Sequence, residues 1–172
     1  MTPDLSLQMQ LELVLRLVVG LVLGAVIGWQ RELSRQPAGF RTHSLVALGS
    51  AIFTVVSAFG FSGDGGEGVD PTRVAAQIVS GIGFIGAGTI LQHRGNIRGL
   101  TTAASLWAVA ALGMAAGAGM YVVAVAGGVL ILVVLAILDD VKIFAARKLD
   151  ADIGSPVTTN NDDEEGRTED MP

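Results

Sequence analysis

The chain has 172 residues; 51% are apolar, only 16% are charged, and the mean hydropathy is +0.57. A soluble domain of this size is usually about a quarter charged, so an ordinary water-surrounded fold is excluded for most of the chain. From Asp150 onward eight acids face one base, a local −7 within a net charge of −5, so the acidic balance describes a tail. There is no cysteine, which excludes disulfides and thiolate metal sites.

In chain order, five apolar stretches are each near the ~20 residues that cross a ~30 Å hydrocarbon core as helix. The spans predicted are about 10–29, 44–61, 74–91, 102–117 and 120–138. Around the first, the flank is acidic (Asp4, Glu12) and "GWQRE" is a poor cleavage site, so an uncleaved span is expected rather than a signal peptide. Arg16, one turn into it, can snorkel or pair with Glu12. The loop to span two holds Arg31, Arg35 and Arg41; the next, "SGDGGEGVDPTR", holds three acids and Arg73. Asp70 before Pro71 is expected to cap span three.

Span three contains "SGIGFIGAGTIL", in which Gly81, Gly83 and Gly86 spell the G-x-G-x-x-G of a dinucleotide-binding turn. That fingerprint needs an acid about 20 residues on to hold a ribose, but the next acid is Asp139. No Asp or Glu stands between Asp70 and Asp139. The glycines are read as packing surface, because membrane helices associate where small residues let backbones approach. Ala76, Ser80, Gly83 and Ala87 form one stripe on span three, Gly20, Gly24 and Gly28 another on span one, and Gly113 with Gly117 a third on span four. Gln77 is costly in lipid and is expected to face protein.

The loop "QHRGNIRG" carries Arg94 and Arg98, and Lys142, Arg147 and Lys148 follow span five. Basic and non-basic connections therefore alternate, with eight bases on one side and one on the other. Under the positive-inside rule this predicts an outside N-terminus and a cytoplasmic C-terminus. An interfacial helix is expected after span five, within a transmembrane domain 1–149. Residues 150–172 are expected to be a disordered acidic cytoplasmic tail. The fold class predicted is all-α, a polytopic bundle of about five spans.

Arg31, Glu32, Arg41, Thr42, Arg94, Asn96, Arg98, Thr101 and Thr102 are expected to form one polar layer on the cytoplasmic face. His43 is read as a satisfied polar group rather than a metal ligand. No nucleophile–base pair, metal cluster, cofactor motif or nucleic-acid motif stands out, so no enzyme, cofactor or nucleic-acid partner is expected.

"GAVIGWQREL", "GFRTHSLVALGSA", "DPTRVAAQIVSGIGFIGAGTIL" and "NIRGLTTAASLWAVAALG" resemble the MgtC/SapB family of bacterial inner-membrane proteins. The resemblance implies a role in magnesium homeostasis and adaptation to low magnesium, of virulence type in some members. It also implies action through partner membrane machinery, such as the ATP synthase, rather than transport, with a homo-oligomer as a further expectation. Asn96 and Arg98 match the family's "N-[IV]-R-G-L" loop. Gln30 departs from it, because the family often carries Glu there. Many members add a cytoplasmic ACT-like domain; here the acidic tail stands in its place, so sensing by such a domain is not expected.

Overall fold

A computed structural model describes residues 6–60, 70, 72–93 and 96–153, with side chains described as far as Ile137 except that of His93. The elements are α1 (Leu7–Leu33), α2 (Phe40–Phe59), α3 (Thr72–Gly88), β1 (Leu91–His93), β2 (Asn96–Arg98), α4 (Leu100–Gly117) and α5 (Tyr121–Ile153). The expected disordered tail lies outside the described residues beyond Ile153. The chain divides into two units, the first ending at Ala136 and the second starting at Ile137.

The helices outrun the apolar stretches that announce them. α1 continues through Arg31 and Glu32, and α2 starts at Phe40, so Arg41, Thr42 and His43 lie in its first turn. Hydropathy marks where lipid ends, not where a helix does, and Gln, Arg and Glu are good helix formers. The link between α1 and α2 shrinks to residues 34–39. α1 closes with paired bonds: the Gln36 N–H donates to the Arg31 carbonyl and the Arg35 N–H to that of Glu32. Arg35 takes the left-handed position of this Schellman turn (φ 52°) that glycine usually fills. α4 ends the same way with Gly119 there (φ 79°), so the turn to α5 needs only Ala118–Met120.

Span three also ends early, at Gly88, and its last residues pair as β1 with β2, Leu91 opposite Arg98. The all-α class holds, with this small antiparallel pair of three-residue strands as its one addition among the described residues. α3 begins beside Asp70, whose carboxylate accepts from the Thr72 N–H (2.8 Å) and hydroxyl (2.7 Å).

Packing centres on Ile27, Ala47, Val109, Leu112 and Leu135, surrounded by Leu23, Val46, Ile131 and Leu132. The tightest seam joins α1, α2 and α4. A Cβ on Gly24 would lie 2.6 Å from both the Ala47 Cβ and the His43 carbonyl oxygen. One on Gly28 would lie 2.8 Å from the Phe40 Cα, one on Gly20 3.1 Å from the Ala51 Cβ, and one on Gly117 2.7 Å from the Ala51 carbonyl. Gly113 abuts the Ala47 backbone.

The span-three stripe behaves otherwise. Ala76, Ser80, Gly83 and Ala87 are all exposed, and a Cβ on Gly83 would meet nothing within 4 Å. α3 instead turns Ile82 and Gly86 inward, with Ala103 of α4 3.6 Å from where a Gly86 Cβ would be. The expectation that the stripe seats a neighbouring helix is therefore corrected within this chain. Small residues occur all around α3, and bulky Ile82 gains most from the inner face.

The outer surface is hydrocarbon: Phe84 is 84% and Val122 83% exposed. α1, α2 and α4 are each long and apolar enough to cross a bilayer; α3, at 17 residues, and the apolar Tyr121–Ile137 part of α5 are shorter. So much exposed apolar surface suits lipid as the surrounding solvent.

Candidate functional site

The seam ends in a buried polar cluster at the α1–α2 link. Arg31 follows Gly28 by one turn and is 1% exposed, the largest fully buried side chain among the described residues. His43, one turn into α2, is completely buried and lies within electrostatic reach of Arg31. Its Nδ1 is 3.0 Å from the Gly39 carbonyl and its Nε2 3.0 Å from the Ser105 Oγ. That hydroxyl also lies 2.8 Å from the Thr102 carbonyl.

A carbonyl only accepts, so Nδ1 carries a proton. The single Ser105 proton then goes either to Nε2 or to the Thr102 carbonyl. The chain Gly39–His43–Ser105–Thr102 thus ties α2 to the first turns of α4 through one exchangeable proton. Buried polar groups are satisfied or costly, so this network fixes how the helices meet.

Around it the expected polar layer divides. Thr102 is buried and Thr101 partly so, whereas Arg41, Asn96 and Arg98 are exposed and Thr42 is intermediate. Arg94 lies outside the described residues. Glu32 is exposed, and its carboxylate accepts from the Phe40 N–H (2.9 Å), capping α2 where the N-cap residue Gly39 offers no side chain. The residues expected in the layer therefore fall into a buried set, Arg31 and Thr102 with His43 and Ser105, and an exposed set, Arg41, Asn96 and Arg98. His43 is a satisfied polar group, as the sequence suggests, but the sequence does not single out Ser105 as its partner. Their separation of 62 positions hides the pair, although both lie on small-residue faces (Ala47, Ser50; Thr102, Val109).

A second polar point occupies the opposite end of the seam. Arg16 donates to Glu12 (2.5 Å) and to the Gly117 carbonyl (3.3 Å), and it sits 5.3 Å over the Phe59 ring. The expected Glu12 pairing is present, and the guanidinium also reaches the end of α4.

The described residues contain no group of three or more His, Asp or Glu able to hold a metal. No solved structure matches the chain. The MgtC family matches residues 17–144. Among curated relatives, the "Putative magnesium transporter YhiD" of Escherichia coli (strain K12) is 50% identical over 111 residues, covering 63% of this chain and 52% of that protein. "Protein MgtC" of Brucella abortus (strain 2308) is 50% identical over 111 residues, covering 64% and 44%. An uncharacterised Haemophilus influenzae protein is 47% identical over 111 residues, covering 62% and 47%. The chain spans about half the length of these relatives. With the matched region covering most of the helical bundle, the chain belongs to the MgtC family of multi-pass membrane proteins.

Proposed function

We propose that this protein is a non-enzymatic component of a bacterial inner membrane that supports magnesium homeostasis at low magnesium by contacting partner membrane proteins. Its C-terminus is cytoplasmic in this reading, in keeping with the eight bases on that side. One observation carries it against transport: the buried polar centre is cationic and nitrogen-rich, built of Arg31 and His43. Mg²⁺ is held by hard oxygen ligands, chiefly carboxylates and waters. The carboxylates of α1 are Glu12 and Glu32, both exposed at its ends. A path through the seam would carry a divalent cation past a buried guanidinium. The partner reading extends to the ATP synthase and to a second copy by family resemblance.

The competing reading is a magnesium permease, the activity printed in the name of the Escherichia coli relative. Vesicles loaded with a magnesium-sensitive dye separate the two. The proposal expects no flux above that of protein-free vesicles, together with restored low-magnesium growth when the gene is returned to a deletion strain. Saturable, protein-dependent entry of magnesium would overturn it.

A further inference from the structure

Within the buried polar cluster, His43 is the side chain that can gain or lose a proton near neutral pH. It is completely buried, as are Thr102 and Ser105 beside it. A Cβ on Gly28 would lie 3.0 Å from the His43 Cβ, so α1 packs directly against this residue. The neutral ring suits the place. Its Nδ1–H donates to the Gly39 carbonyl, and its Nε2 lone pair can accept from the Ser105 hydroxyl. A second proton would break neither contact. Nε2–H would donate to the Ser105 Oγ, and that hydroxyl would turn to the Thr102 carbonyl. What changes is charge: the ring would become a second buried cation within electrostatic reach of Arg31.

The packed elements bring little to balance that charge. On α1, Glu32 is exposed and accepts from the Phe40 N–H, while Glu12 and Arg16 pair at the opposite end. The α1–α2 link adds exposed Arg35, and α2 adds exposed Arg41. α4 has no ionisable side chain, and α3 has only Arg73. The stretch before α4 holds only His93, Arg94 and Arg98, and α5 as far as Ile137 holds only Tyr121. A buried charge without a counter-charge is unfavourable, whereas water would hydrate the same charge if this end of the seam opened.

We infer that His43 is a proton-operated latch: neutral, it holds the start of α2 against the first turns of α4, and in acid its protonation favours a form in which this end of the seam is open to water. An imidazole in water takes up its proton near pH ~6.5. Above that value both forms are neutral, and the closed form keeps its full advantage. Below it the open form binds a proton that the closed form resists. Each further pH unit then raises the open fraction by up to about tenfold. The latch belongs to the helix seam alone and does not depend on the proposed magnesium role.

The test is amide hydrogen exchange on the full chain in phosphatidylcholine nanodiscs at about pH 7.5, 6.5 and 5.5, bracketing the imidazole range. Rates are corrected for the intrinsic pH dependence of exchange. Amides of 43–48 and 103–107 should lose protection by up to about tenfold between the last two values, while those of 14–20, at the Arg16 end, should hold. His43→Gln keeps a donor and an acceptor but cannot take a charge, so its protection should not vary with pH. His93→Gln, at the chain's other histidine, should respond as the wild type does. Unchanged protection of the wild type down to pH ~5.5 would overturn the latch. Equal loss at both ends of the seam would overturn it too, as general weakening by acid, and so would an unaltered pH response in His43→Gln. If His43→Gln misfolds, the wild type and His93→Gln decide: a response confined to the His43 end and kept in His93→Gln supports the latch, and one abolished there overturns it.

Discussion

Two regions use the same residue types to opposite ends. In the α1–α2–α4 seam, Gly24, Gly28, Gly113 and Gly117 bring backbones together until a single added carbon would strike a carbonyl or a Cα, and one on Gly20 would crowd the Ala51 Cβ. On α3, Gly81 and Gly83 border open space. Spacing at every fourth residue is shared, so spacing cannot distinguish them. What differs is the opposing surface: Ala47, Ala51 and Ser50 offer small side chains that permit contact, whereas α3 turns Ile82 and Gly86 inward, with Gly86 beside Ala103 of α4. A small residue permits close approach; only a complementary partner makes it happen.

Substitutions at matched positions break or sharpen this contrast. The largest effect is expected from Gly24→Leu, which drives a branched chain into the α2 backbone and should cost about 3 kcal/mol or more. The yield of monodisperse protein in detergent should collapse, and a wild-type yield would remove the seam from the account. Ser105→Ala comes next. It leaves a nitrogen of a fully buried imidazole without its partner, at about 1–3 kcal/mol, read as a lowered midpoint of denaturant unfolding. His43→Ala with Ser105→Ala should then cost less than the two separately, the signature of a shared bond.

A smaller, local effect belongs to the start of α3. The Thr72 hydroxyl, followed by the Thr72 N–H, holds the Asp70 carboxyl below its ordinary value of 3.8. A lowered carboxyl stabilises the folded form at neutral pH and loses that contribution as pH falls through the folded value. Protection of the first-turn amides of α3 should therefore hold from pH 7 to 5 and decline only below 3.8; in Asp70→Asn the pH dependence should vanish. Gly83→Leu should change least, within about 0.5 kcal/mol. A loss matching that of Gly24→Leu would mean that the outward face of α3 is covered in the native assembly.

The helical class was legible because lipid demands long apolar runs, and the alternation of bases along the connections brought out five segments. The seam glycines of α1 and α4 could be picked out by spacing, but so could Gly83, since one sequence records which face is smooth and not what faces it. The helices run past the predicted span ends because Arg31 and His43 look like loop residues to a hydropathy reading, yet both are buried, His43 through its bond to Ser105 of α4. Glu32 was read as part of a functional layer, yet it reaches the first amide of the next helix, a role that depends on the tight turn at Arg35. The hairpin at Leu91–Arg98 was hidden by the apolar Ile90 and Leu91, which read as more of span three.

Arg16 gains a further meaning from its three partners. A guanidinium tied at once to Glu12, to the Gly117 carbonyl and to the Phe59 ring can satisfy them at only one height of α1 against its neighbours. Sliding α1 by a turn would take the ion pair along but abandon the other two anchors and drag a cation towards oil. A residue that looks like a flaw in a greasy segment thus acts as a depth gauge, setting the vertical alignment that lets every glycine in the seam find its opposite number.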